Sequence, residues 1–344
     1  MDRKTTPIKW RLLYAPHFDL RILNANDHEK LQESLMASPT RSEKPTEVYK
    51  SFIMDSTRWE NFKSREGDIL ICTPAKCGTT WMQMICALLI FQKTEFDRPL
   101  SDYSPWLDML ITPVEEVLAL LEAQTHRRFI KTHTPFDGLP YYPGTTYLCV
   151  GRDPRDAFMS FGNHMKNLNP EFMMRHMQGP GSAAAPPPQG TQAMGIGDRF
   201  IAEITAETRH GATDNPAGVI PYIKSFWEYR DLPNIHFFHY NDMKRDLGGQ
   251  MRRVAAALDI TVDEKLWPDL IRAASFENMK ENSAMLAPDA STGIWRDPGN
   301  FFNKGETGQW RTILGPEELA VYEKVKAERL SPELAEWIEK GELG

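Results

Sequence analysis

The stretch Thr73-Pro-Ala-Lys-Cys-Gly-Thr-Thr80 gathers Lys76, Gly78, Thr79 and Thr80 into a few residues. Pro74 to Gly78 has loop chemistry, and the apolar run from Thr79 or Thr80 to Phe91 reads as a buried helix. The first amides of a helix have no intrahelical partner, and the helix dipole adds about half a positive charge there. Anions are held at such an end. Lys76 adds a full charge inside the loop, and two hydroxyls stand at its mouth, so a phosphate-like guest is expected. Cys77 reads two ways: a small residue closing the loop, or a thiol whose pKa falls beside Lys76 and the helix start.

Other elements must position this loop. Ile69 to Thr73 reads as a short buried strand leading into it. Arg128 to Thr132 is a second strand, ending in Lys131-Thr-His133-Thr-Pro135. Thr146 to Val150 is a third, followed by Arg152-Asp-Pro-Arg-Asp156. There Asp153 suits an N-cap and Pro154 the first helical position, so a helix to about Asn167 carries Ser160. Thr112 and Pro113 similarly open a helix to about Ala123. Ala217 to Arg230 is an amphipathic helix, Ile235 to Tyr240 a fourth strand, and Asp246 to Leu258 and Asp263 to Ala274 are helices. Ser275 to Lys280 reads as a junction, Phe301 to Arg311 as a glycine-containing loop, and Pro316 onward as helical. Strands alternating with helices predict a parallel sheet covered on both faces. The fold class expected is a single α/β domain over residues 46–344, preceded by an arm over 1–45. Residues 178–198 are rich in Gly, Pro and Ala and read as a long loop, either a lid or a disordered insertion.

Composition narrows the class. The chain has 344 residues, 41% hydrophobic and 25% charged, with net charge −7. A general polyanion binder is excluded, so no nucleic-acid partner is expected, and an anionic ligand needs a local basic pocket. No secretory leader and no membrane-spanning run is evident. The four cysteines, Cys72, Cys77, Cys86 and Cys149, show no zinc spacing and read as reduced thiols of a cytoplasmic protein.

The lysine-bearing loop is not the common P-loop, in which lysine follows the second glycine. It resembles the P-K-S-G-T-T-W loop of sulfotransferases that use 3′-phosphoadenosine 5′-phosphosulfate (PAPS), with Ala75 for a proline and Cys77 for a serine. Lys131-Thr-His133-x-Pro135 resembles the K-T-H-x-P segment of the cytosolic, small-molecule branch. Arg152 with Ser160 resembles that family's 3′-phosphate segment, and Tyr240-Asn-Asp-Met-Lys244 its Y-E-D-M-K run. Ser275-Phe276 with Met279-Lys280 resembles T-S-F-x-x-M-K. Phe301-Phe-Asn-Lys-Gly305-x-x-Gly308-Gln-Trp-Arg311 resembles F-M-R-K-G-x-x-G-D-W-K. The matches keep one chain order from about residue 68 to 311.

The resemblance implies a P-loop-like fold and direct, in-line transfer of a sulfuryl group from PAPS to a hydroxyl of a small, apolar acceptor. It implies neither a metal nor a covalent enzyme intermediate. His133 would be the general base, since imidazole has an unperturbed pKa of about 6.5; composition alone reads it as structural. Lys76 would stand beside the oxygen bridging sulfur and phosphorus, with Lys131 as a second cation. Lys76, Cys77, Gly78, Thr79 and Thr80 would line the 5′-phosphate loop. Arg152 and Ser160 would grip the 3′-phosphate, its planar fork suiting arginine to that task. Trp81 and Phe276 would lie against adenine, with Tyr240 and Ser275 nearby. Asn303, Lys304 and Gly305 would close the site. Asn303 stands where the family has arginine, leaving Lys304 or Arg155 to supply the missing charge. Two rival readings are a P-loop small-molecule kinase and a non-catalytic nucleotide-binding protein of the same fold. The order of lysine and glycine weighs against the first, and Lys76 with His133 against the second. Neither the acceptor's identity nor an oligomeric state is written in these motifs.

Overall fold

The computed structural model describes residues 43–51, 53–177, 194–206 and 218–342. The arm expected over 1–45, beyond its last three residues, and most of the 178–198 loop lie outside the described residues. Strands β1 (Ile69–Cys72), β2 (Phe129–Thr132), β3 (Thr146–Gly151) and β4 (Ile235–His239) form one sheet in the order β2-β1-β3-β4. Every pairing is parallel. Because side chains alternate along a strand, both faces can be apolar only if both are covered. Leu70, Cys72, Ile130, Tyr147 and Cys149 enter one core, and Ile69, Ile71, Phe129, Leu148 and Val150 enter the other.

The helices flank this sheet. In chain order they are α1 (Thr79–Phe91), α2 (Leu100–Tyr103), α3 (Val114–Ala123), α4 (Pro154–Asn167), α5 (Pro170–Met177), α6 (Ile196–Thr205) and α7 (Val219–Trp227). Then come α8 (Tyr240–Arg245), α9 (Leu247–Ala257), α10 (Trp267–Ala273), α11 (Phe276–Glu281), α12 (Ser283–Leu286), α13 (Pro316–Arg329) and α14 (Pro332–Lys340). Asp153 caps α4 as expected, accepting from the Arg155 amide. Three differences from the sequence reading have local causes. The junction expected over Ser275–Lys280 is largely helix α11, because the Ser275 hydroxyl caps it by accepting from the Asn278 amide at 3.2 Å. Helix α3 starts after Pro113 rather than Thr112. Helix α6 begins at Ile196, inside the stretch expected to be loop, and buries Phe200 and Ile204. No helix among the described residues is long and apolar enough to cross a membrane.

A parallel sheet delivers all its carboxyl ends to one edge, and β1 lies between β2 and β3, so the strand order reverses there. Ligands bind outside that point in open α/β sheets. Lys76, His133, Arg152 and Tyr240 follow β1, β2, β3 and β4 in turn, at that edge. The opposite edge is pinned by Asp68, just before β1, whose carboxylate takes Arg128 Nε at 2.8 Å and a terminal guanidinium nitrogen at 2.5 Å. Both side chains are only 2% exposed. Asp68→Ala would strand the Arg128 charge in the interior, a change that costs about 3–5 kcal/mol. It is expected to lower the denaturation midpoint by that amount at unchanged slope; a loss below about 1 kcal/mol would show the pair to be dispensable.

Candidate active site

His133 is buried at the end of β2 and lines the main cavity. Its backbone is held from both sides. The hydroxyls of Thr132 and Thr134 both donate to one oxygen of the buried Asp108, at 2.6 and 2.5 Å, and the Trp59 indole donates to the same oxygen at 3.3 Å. Burial raises the Asp108 pKa, and these hydrogen bonds oppose the rise. The His133 ring is oriented by its own Nδ1, which lies 2.5 Å from the Thr73 carbonyl. A carbonyl only accepts, so Nδ1 carries the proton and Nε2 keeps its lone pair. Burial and then the nearby Lys131 charge push this imidazole down to about 3, against the pull of the Thr73 bond.

Lys76 sits in the β1–α1 loop with φ at 65°, a left-handed conformation rare for a side-chain-bearing residue. Gly78 follows at φ 103° and caps α1 without a side chain. Thr79 and Thr80 then begin the helix, and their hydroxyls are buried at the cavity wall, Thr79 sharing a 2.5 Å hydrogen bond with Thr73. The Lys76 ammonium is pushed down to about 7, by burial first and then by the charges of Arg152 and Lys131. It donates to His164 Nδ1 at 3.3 Å and stands over the Phe301 ring at 4.7 Å. The Lys131 ammonium lies 4.0 Å above the Trp106 ring.

Arg152 ties three loops together. Its guanidinium donates to the Lys76 carbonyl at 2.9 Å and the Glu306 carbonyl at 3.2 Å, and stacks on Tyr240 at 4.0 Å. Its Nε–H is buried with no partner among the described residues. Ser160 lines the same cavity from α4, together with Trp81, Tyr240, Phe276, Asn303, Lys304 and Gly305. Trp81 is fixed by donating to the Ala274 carbonyl at 2.8 Å and meets Tyr240 edge-on. Gly305 passes so close to Phe276 that a Cβ there would lie 2.8 Å from the ring.

Some expected residues stand elsewhere. The Ser275 hydroxyl is engaged as the α11 cap, and Ser275 is absent from the cavity lining. Cys77 is buried, faces away from the cavity, and its thiol is pushed up to about 12 by burial. The reading as a small loop-closing residue fits it, and the reading as a lowered-pKa thiol does not. Cys72, Cys86 and Cys149 are likewise buried and unbridged. Arg155 is turned inward, paired with Asp153 and Glu339 and sandwiched between Trp310 and Tyr322, so it adds no charge to the cavity. Lysines brace the Asn303 loop instead: Lys280 donates to the Asn303 carbonyl at 3.0 Å and Lys244 to the Gly305 carbonyl at 2.7 Å. Trp106 lines the cavity too, within a Trp- and Met-rich stretch that suits either an apolar pocket or core packing, and so do His164 and Trp295, which were not singled out from sequence. For His164 a signal existed: it lies one helical turn beyond Ser160, on the same face.

The cavity of about 210 Å³ thus gathers a helix N-terminus, four cationic side chains and an oriented imidazole at the carboxyl edge of a parallel sheet. Fold and site together define a class, a P-loop-like α/β protein with a basic pocket at the carboxyl edge of its sheet. The sequence model of the sulfotransferase domain matches residues 66–332. A glycolipid sulfotransferase of Mycobacterium bovis is 36% identical over 315 residues, 86% of this chain and 95% of that protein. Glycolipid sulfotransferase Rv1373 of Mycobacterium tuberculosis is 35% identical over 314 residues, with the same 86% and 95% shares. The fold is that of mouse sulfotransferase SULT7A1 complexed with PAP, with a TM-score of 0.60 at 18% identity over 82% of this chain and 92% of that one. The chain belongs to the sulfotransferase family and is a sulfotransferase.

The depressed Lys76 gives a pH test. An anionic ligand favours the ammonium form, so binding raises the Lys76 pKa above its free value of about 7. Affinity for 3′-phosphoadenosine 5′-phosphate (PAP) is then full below that pH and weakens above it, by up to about tenfold per unit. Calorimetry at pH 8 in buffers of different ionisation heat should show proton uptake that Lys76→Met abolishes. Equal heats in all buffers would place the Lys76 titration elsewhere.

Proposed function

We propose that this enzyme transfers a sulfuryl group from PAPS to a hydroxyl of an amphipathic, glycolipid-type acceptor, with His133 as general base. The observation that carries the reading is the His133 tautomer, whose Nδ1–H is tied to the Thr73 carbonyl while Nε2 is left as a base in the cavity. The residues present fit the nucleotide. The first-turn amides of α1 and the Thr79 and Thr80 hydroxyls suit the 5′-phosphate. The orphaned Arg152 Nε–H, with Ser160, suits the 3′-phosphate, and Trp81, Tyr240 and Phe276 offer faces for adenine. Lys280 and Lys304 supply charge beside Asn303. The glycolipid class rests on the mycobacterial relatives, which are glycolipid sulfotransferases, and on the apolar cavity walls formed by Met109, Ile111, Leu168, Met173 and Ile294.

PAPS supplies an activated sulfuryl group joined through an oxygen to a phosphate. His133 Nε2 takes the acceptor hydroxyl's proton as that oxygen attacks. An imidazole held near 3 is a weak base in the free site. Burial is the larger cause and persists, but the smaller part due to Lys131 and Lys76 is offset by an anionic donor, so donor binding raises the basicity of His133. Lys76 leaves His164 and places its charge where negative charge develops on the leaving oxygen, so it stabilises the transition state more than the ground state. Lys131 adds a second cation at the acceptor side.

His133→Ala is expected to cut kcat by roughly 10²–10⁴-fold while leaving PAP affinity intact. Turnover surviving within about tenfold would remove the general-base role. Lys76→Ala should lower kcat by roughly 10²–10³-fold and change the donor KM far less; a pure KM effect would argue for simple binding. A thermal-shift comparison in which ATP stabilised the enzyme more than PAP would favour a kinase instead.

A further inference from the structure

A second cavity, of about 230 Å³, lies against the first. The two share a wall made of Trp106, Met109, Lys131, Pro288 and Asp289. Their characters differ. The acceptor end of the main cavity is apolar, whereas the second is mixed, with Gln83, Ser101, Asp102, Ser104, Thr112 and Glu116 beside Leu100, Val117, Leu120 and Leu286.

The shared wall carries two unmatched polar groups. The Trp106 indole N–H is buried and meets no acceptor among the described residues. The Asp289 carboxylate is half-buried, accepts no side-chain hydrogen bond from the described residues, and has the charges of Lys131 and Asp102 near it. A buried N–H without a partner is unfavourable, so the Trp106 indole is expected to be completed by something that enters the cavity, and the Asp289 carboxylate beside it is free to accept from the same guest. That something is not the donor, because a carboxylate repels a polyanion. Trp106 fixes the location: its ring stands edge-on to His133 at 4.7 Å between centroids, beside the residue that must receive a proton from the acceptor.

A hydroxyl is the group that answers both needs, since it accepts from an indole N–H and donates to a carboxylate. Several hydroxyls on one rigid ring, with an apolar face to lie on the tryptophan, describe a sugar. We propose that the wall formed by Trp106 and Asp289 is a carbohydrate subsite, which turns the head group of the acceptor toward His133 while its lipid part lies along the apolar walls. This deepens the glycolipid reading above and rests on it. The second cavity, with polar and apolar walls, gives room for further sugar units. Asp289 acts as a specificity residue and has no part in moving the sulfuryl group.

The test compares two acceptors of equal tail, octyl β-glucoside below its micelle concentration and octan-1-ol, in steady-state assays with PAPS. Asp289→Asn suits the backbone, since φ at 289 is 50° and asparagine tolerates that region. The wild type should favour the glucoside. Asp289→Asn should raise KM for the glucoside about ten- to hundredfold and leave KM and kcat for octanol within about twofold. Trp106→Phe, which keeps the ring and removes the N–H, should move the glucoside KM in the same direction by a smaller factor. PAP-induced thermal stabilisation equal to wild type shows that each variant is folded. A wild type that sulfates octanol as well as the glucoside, or variants that affect both acceptors alike, would overturn the subsite and leave the transferase reading standing. Transfer to neither acceptor, nor to a phenol, would overturn both.

Discussion

Positive charge held out of water is the constraint on which this structure turns. Lys76, Lys131 and Arg152 converge on one buried space in a chain whose net charge is −7. Burial first, and then their mutual repulsion, lower the affinity of Lys76 for a proton. Such a cluster is unfavourable by itself, and neutral partners around it offset part of that cost. The Lys76 ammonium rests on an imidazole and an aromatic face, Lys131 on an indole, and Arg152 on backbone carbonyls and a phenol ring. Carbonyls and ring faces satisfy a cation without cancelling its charge, so the field in the cavity survives until an anion enters.

The sheet makes the convergence possible. Four parallel strands end at one edge, and one reactive side chain follows each of them. The position of each is set by contacts made below the cavity. Asp108 binds the residues on both sides of His133, and Asp68 with Arg128 locks β1 to β2 at the far edge. The strained Lys76 backbone persists because the Gly78 turn and the Arg152 bond to the Lys76 carbonyl together determine it.

The strand-end loops were legible because each follows a short run of β-branched and aromatic residues and carries its own local signature. Asp153-Pro154, for instance, announces α4 by capping chemistry alone. What the sequence did not disclose depends on where side chains turn. Ser275 has the right type to touch a nucleotide, yet its hydroxyl oxygen accepts from an amide three residues on and caps a helix. Arg155 lies only three residues from Arg152, but the helix carries it to the other side, where Asp153 and two aromatic rings hold it. Trp106 and Asp289 lie in segments with no motif, and they meet the cavity only through tertiary packing. Charge near Asn303 likewise comes from Lys244 and Lys280, residues distant in sequence that reach the loop through backbone carbonyls.

The four cysteines lie wholly inside the protein, unbridged, with burial holding their thiols protonated. The surface is therefore silent toward maleimides and other thiol-selective reagents. A single cysteine introduced on an outer loop would be the one reactive handle on the folded chain, so a fluorophore could be attached there without first stripping the native residues from the core.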